Sequence, residues 1–244
     1  MKAHIRYISY LIIPLLLFSC SNEKEEENII ETGSITGTVK LFTSRGGFYP
    51  NEDMRVTIEG TDPVISVLTD TNGSYRFDDL PHGRYDLRFE KEGFGTFKRG
   101  DIVHINEETN LEAFETLGKK STTEISSLQL FETDTGITLS LNTSPPSHTT
   151  NIRYVRIFFN IGSEASNQTF EYFTPVLQSE FTPFFRQYTY EEFEELGFIS
   201  GATIHIKAYG ESLLSNEYND PNNGAFIFPN LNPNTTTGIS FVMP

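Results

Sequence analysis

Apolar and polar residues alternate in short runs along much of this chain. In SITGTVKLF, Ile35, Val39 and Leu41 fall on one face, with Thr36, Thr38 and Lys40 on the other. Met54, Val56 and Ile58 repeat the pattern in MRVTIEG, as do Tyr85, Leu87 and Phe89 in RYDLRFE. A period of two is that of a half-buried strand. Between the runs stand Asn72-Gly73 and Pro81-His82-Gly83. Gly73 and Gly83 are expected to supply the positive φ of tight turns. Short strands with close punctuation and no helical period predict an antiparallel β-sandwich over residues 34–117.

Gly118-Lys119-Lys120-Ser121 reads as a polar link, after which strands resume. Ile137, Leu139 and Leu141 alternate in GITLSLN. The stretch 154–161, YVRIFFNI, is apolar on both faces and predicts a central strand; 202–209 and 238–243 complete a second sheet pattern. One segment breaks the period. Thr189 and Glu192 form a capping box and Gly197 follows the last turn, which predicts a short helix presenting Tyr190, Phe193 and Leu196 to the sandwich. The expected class is therefore all-β: two tandem antiparallel β-sandwiches, 34–117 and 118–244, with one short helix in the second.

The stretch TDTNGSYRFDDLPHGRYDLRFEKEGF, residues 69–94, with Gly37-Thr38-Val39 and Val56-Thr57-Ile58 before it, resembles the carboxypeptidase regulatory-like domain. That resemblance implies a transthyretin-like, seven-stranded sandwich over about residues 33–117. It implies little about function, because one fold hosts many tasks. The loop TSRGGFYPNED, 43–53, is longer than the family's usual link and is a candidate contact site. ATIHIKAYGESLLSNEY, from residue 202, is similar to the last hairpin of a fibronectin type III or immunoglobulin-like domain, although the chain has no tryptophan. His104 and Glu107 match the H-x-x-E spacing of a metal-ligand pair, and His205 could be offered as a third ligand. Two residues of spacing are a chance match, so His104 is read as a solvent-facing histidine beside a turn. Asp70, Asn72, Asp78 and Asp79 lack the loop length and terminal glutamate of a calcium site and are read as a turn cluster. No metal and no cofactor is expected.

The first 33 residues have another character. Lys2 and Arg6 precede an apolar run from Ile8 to Phe18, the layout of a secretory signal over 1–19. Leu17-Phe18-Ser19-Cys20 resembles the lipobox of bacterial lipoproteins, which implies cleavage before Cys20 and lipid on its thiol. The only cysteine of a secreted chain needs such a use, since no partner exists for a disulfide. Glu23, Glu25, Glu26, Glu27 and Glu31 against Lys24 predict a self-repelling tether over 20–33, with a reach on the order of 45 Å. An acidic run at that place also resembles the export signal of Bacteroidetes surface lipoproteins. The expected location is the outer membrane, lipid-anchored through Cys20 and facing the exterior, with the periplasmic face as the alternative.

The chain carries a net charge of −15, and neither predicted sandwich is basic. Phosphate backbones need cationic neutralisation, so nucleic acid is excluded as a partner, as is charge-driven attachment to anionic lipid. Nucleophile elbows, P-loops, dinucleotide fingerprints and convergent His, Cys and acid sets are all missing, and no catalysis is expected. What stands out is the segment 170–198, with ten aromatics. Burial is the common fate of such residues, and an exposed cluster the informative exception. Tyr172, Phe184 and Tyr188 are the candidates for an exposed binding platform, the two tyrosines because their hydroxyls can meet water or sugar. The expected function is a membrane-anchored, surface-displayed, non-catalytic binding or scaffold lipoprotein, accessory to glycan capture or to an outer-membrane uptake complex. Adhesion or structural spacing is the alternative.

Overall fold

The computed structural model describes residues 31–244. The expected signal segment, Cys20 and all but the last three residues of the tether lie outside them.

The first sandwich places β1 (Thr32–Phe42) at the centre of one sheet, with β2 (Phe48–Tyr49) and β5 (Ser74–Pro81) antiparallel to it. The facing sheet runs β4 (Ile65–Leu68), β3 (Arg55–Ile58), β6 (Gly83–Glu90), β7 (Phe97–His104). The apolar sets of the alternating runs meet between them: Ile35, Val39, Leu41, Val56, Ile58, Leu87 and Phe89 form one core. A departure from a purely antiparallel sandwich lies on β1, which pairs in parallel with β8 (Glu108–Asn110) and β9 (Glu115–Gly118). The chain leaving β7 crosses to the other sheet and reaches the free side of β1 in the same direction, the crossover that parallel pairing requires. Gly73 has φ +84 as expected, whereas Gly83 is not at positive φ and opens β6 opposite His104. The chain bends at His82 instead, while Asp79 (φ 55) takes up the bulge of β5 against β1.

In the second sandwich β10 (Glu124–Thr133), β11 (Gly136–Ser144) and β15 (Phe184–Thr189) form a three-stranded sheet. The facing sheet is built on β12 (Arg153–Ile161), which pairs with β13 (Tyr172–Phe173) and β14 (Leu177–Ser179) on one side and β16 (Thr203–Glu211) on the other; β19 (Ile239–Val242) closes the far edge. Residues 153–160 are all buried, because both faces of β12 are covered. Ile157 and Phe159 face the sandwich core, and Phe158 faces an outer cluster with Phe170, Phe173, Tyr209 and Phe228.

The helix α1 (Tyr190–Glu195) has the predicted capping box: Thr189 Oγ1 accepts from Glu192 N, and Thr189 N donates to Glu192 Oε2. Phe193 is fully buried, but Leu196 is 39 % exposed. Leu196 is the C-cap, where the chain turns away at Gly197 (φ 91), so the core position expected for it goes to Phe198.

Residues 212–238 leave β16 as a strap that crosses to the first sandwich, with β17 (Tyr218–Asn219) and β18 (Phe226–Ile227) as a small hairpin within it. Asn216 accepts from Gly118 N at 2.8 Å and donates to Thr116 O at 2.7 Å. Asn230 donates to Leu214 O at 2.7 Å and accepts from Gly95 N at 3.1 Å. Gly95 is required here, because a Cβ would lie 2.3 Å from Pro229 O. Lys98 bridges Glu59 and Asp220, and Tyr218 meets Phe97 edge-on. The link 118–121 is pinned as well: Lys119 N donates to Phe42 O, Lys120 N to Gly93 O and Ser121 N to Asn230 O. The loop 43–53 takes part, since Ser44 O accepts from Leu213 N and Arg45 donates to Asn151 at 2.7 Å. Residues 31–244 pack in this way as one compact unit.

Candidate functional site

Strand parity decides the fate of the aromatic segment. In β15, Phe184 and Tyr188 lie opposite Leu141 and Ile137, core-facing residues of β11, and point inward; Arg186, opposite Leu139, is exposed, and Phe185 and Gln187 point out. Tyr188 is 6 % exposed, packed edge-on against Phe159 with centroids 5.2 Å apart. Burial pushes its phenol up to about 12, with the Arg186 guanidinium, 5.3 Å from the ring centroid, opposing the rise. Tyr172 is half-buried, 5.9 Å from Phe159. The expectation of an exposed Tyr188 is thus corrected: register with Ile137 turns it into the core. Tyr172 is partly buried against the core cluster.

Phe184 is half-buried and belongs to a different surface. Between β14 and β15 the chain crosses from one sheet to the other. A network of hydroxyls fixes that corner: Ser147 N donates to Thr182 Oγ1 at 2.7 Å, Ser147 Oγ lies 2.8 Å from Ser179 Oγ and 2.9 Å from Thr182 Oγ1, and Ser179 Oγ donates to Phe181 O at 3.1 Å. Holding Thr182 inward turns its neighbour outward, and Phe181 is 63 % exposed; Phe185, on the outer face of β15, is 58 % exposed. With Pro183, Phe184, Gln178 and Glu180 they line an open groove of about 500 Å³. Gln178 Nε2 donates to Glu180 Oε1 at 2.7 Å, so amide and carboxylate hold each other beside the rings. Ring faces next to an oriented polar pair can stack on the C–H face of a sugar or on an apolar side chain while fixing its orientation. Phe181 and Phe185 were in the aromatic segment but carried no local mark of exposure; only the corner geometry supplies it.

The histidines go elsewhere. His104 is wholly buried and not solvent-facing, since β8 folds over it onto β1: Nδ1 lies 2.7 Å from Thr109 Oγ1 and Nε2 3.3 Å from Leu80 O. His205 sits on β16 opposite Asn160 and Ser240. Asp70 Oδ1 accepts from Asn72 N and Ser74 N, a turn around Gly73. Among the described residues no group of three or more His, Cys, Asp or Glu is placed to hold a metal, and no helix is long and apolar enough to cross a membrane.

The described residues thus form a two-sandwich body with an aromatic corner. Residues 34–115 match the carboxypeptidase regulatory-like domain family, and the stretch 69–94 lies inside that match. Over 76 residues the chain is 41 % identical to the TonB-dependent transporter Oar of Myxococcus xanthus, which is 30 % of this chain and 7 % of the transporter. Among solved structures, a DUF3823 family protein from Bacteroides ovatus is 12 % identical, with 88 % of this chain and 100 % of that one covered at a TM-score of 0.28. Another, from Parabacteroides merdae, is 13 % identical, covering 72 % and 90 % at a TM-score of 0.26. Likeness at that level says nothing of a ligand.

Proposed function

We propose that this protein is a non-catalytic lipoprotein, anchored in the outer membrane through lipid on Cys20 and facing the exterior, that captures glycan chains at the aromatic corner. The observation that carries the reading is the pair Phe181 and Phe185, 63 % and 58 % exposed around the linked Gln178 and Glu180, on a backbone held by buried hydroxyls. Two large rings exposed together beside one groove form a contiguous apolar patch, the kind of surface that marks interaction sites. The acidic tether and the strap support it: one lifts the body from the lipid, and the other ties both sandwiches into a single carrier. Similarity to part of a TonB-dependent transporter supports placing the protein beside an uptake complex.

Retention in gels containing each of a panel of polysaccharides tests this. The wild type should be retarded by at least one, and the double change Phe181→Ala, Phe185→Ala should abolish retardation without lowering the melting temperature. Retardation that survives the double change would remove the corner from the reading. Crosslinking on intact cells that captures a protein through this corner, with no glycan retained, would favour adhesion.

A further inference from the structure

A second pocket lies on the outer face of the five-stranded sheet and shares no residue with the aromatic corner. Ile204, Ile206 and Ala208 of β16 enter the core, so His205 and Lys207 between them face outward. Ser240 of β19 lies opposite His205. One wall is the turn after β12: buried Asn160 donates Nδ2 to Ser163 Oγ at 2.9 Å and to Ser163 O at 3.1 Å, which holds Glu164 and Ala165 over the sheet. The other is the entry to β19, where a Cβ on Gly238 would come 2.8 Å from Ile206 O. Lys207 Nζ donates to Thr236 O at 2.5 Å, so its stem is fixed along this wall. The space enclosed is about 240 Å³, lined by Glu164, Ala165, His205, Lys207, Ile239 and Ser240 with the backbone between them.

The chemistry of the lining is mixed in a particular way. An ammonium has three donors, and Lys207 spends one on Thr236, leaving two. It is the only cation of the pocket; His205 and Ser240 offer donors or acceptors, and Glu164 at the rim accepts only. Ala165 and Ile239 give the walls apolar surface. Lys207 and Glu164 leave the lining without net charge, so a singly charged carboxylate placed beside Lys207 is opposed less than a phosphate with nearly two negative charges. The volume is below the roughly 300–1,000 Å³ of sites for drug-sized ligands, which suits one ring and no chain.

We propose that this pocket is a subsite for a single carboxylated sugar, a hexuronate, whose carboxylate meets Lys207 and whose hydroxyls meet His205, Ser240 and Glu164. The inference goes beyond glycan capture at the corner and does not depend on it.

Saturation-transfer NMR of the full chain in detergent, with galacturonate, glucuronate, galactose and glucose as probes, tests it. One hexuronate should bind at least about tenfold more tightly than its neutral counterpart, and Lys207→Met should remove that preference. Because Lys207→Met also loses the bond to Thr236, Glu164→Ala at the exposed rim is the second variant: it should weaken the hexuronate severalfold with an unchanged melting temperature. Phe181→Ala should leave hexuronate binding as it was, which separates this pocket from the corner. Equal binding of acidic and neutral sugars, a preference insensitive to both pocket variants, or no binding by any of the four at tens of millimolar would overturn the assignment.

Discussion

Arg156 donates through Nε to Oε2 of Glu211 at 3.1 Å, with both side chains fully buried. The same guanidinium reaches Thr174 O and Glu217 Oε2 at 3.2 and 3.1 Å and lies between the rings of Phe173 and Phe228. It joins the central strand of the second sandwich to the base of the strap. Removing one member of a buried pair leaves the other charge uncompensated, which costs about 3–5 kcal/mol. Arg156→Met should lower the unfolding free energy by that much in a denaturant titration. A loss within experimental error would show that the pair is solvated in solution.

The same pair sets a pH dependence. Burial raises the Glu211 carboxyl to about 7 from its usual 4.5, with Arg156 opposing the rise only in part and Glu217 adding to it. The folded state therefore holds this proton more tightly than the unfolded chain. Its contribution to stability is complete below about pH 4.5 and is lost as pH rises through about 7. Subtracting the melting curves of Glu211→Gln from those of the wild type should reveal a fall of about 1–3 kcal/mol across that window. A flat difference would refute the shift.

Gly73 meets two independent demands. Its φ is +84, and a Cβ would lie 2.1 Å from Val39 O on the neighbouring strand β1. Gly73→Val should destabilise by about 1–3 kcal/mol or more through strain and backbone displacement. Gly60, also at positive φ but with open space around it, should tolerate alanine better, at the cost of strain alone. Equal denaturant midpoints for the two variants would contradict the close approach at Gly73.

Alanine replacements along the aromatic segment should fall into two groups. Phe193 and Tyr188 lie in the core, and truncating either should cost about 3–5 kcal/mol. Phe181 and Phe185 lie outside it, and truncation should stay within about 0.5 kcal/mol. Thermal unfolding of the four variants decides the matter, and a costly Phe181→Ala would mean that the corner is packed against something in solution.

Lipid on Cys20 is testable without reference to the described residues. Metabolic labelling with a clickable fatty acid should mark the wild type and not Cys20→Ala, which should accumulate as precursor. Equal labelling of both would end the lipoprotein reading.

Local pattern carried most of the fold. Alternation in SITGTVKLF, GITLSLN and ATIHIKAY became β1, β11 and β16, and YVRIFFNI became a strand buried on both faces, because a period of two and its loss are properties of neighbouring residues. The capping box at Thr189 and Glu192 and the turn at Gly73 are equally local, each completed within a few residues. Tertiary structure decided which side chains meet. Tyr188 is inside because Ile137, some fifty residues earlier, lies opposite it, and His104 is buried because β8 returns to β1. Leu196 is displaced by the turn that brings in Phe198, and the strap depends on asparagines that find partners a hundred residues away. Phe181 and Phe185 are exposed because hydroxyls from two separate segments, Ser147 on one and Ser179 and Thr182 on the other, hold the corner. Cross-strand register and long-range hydrogen bonds are made between distant parts of the chain, so no window of neighbouring residues contains them.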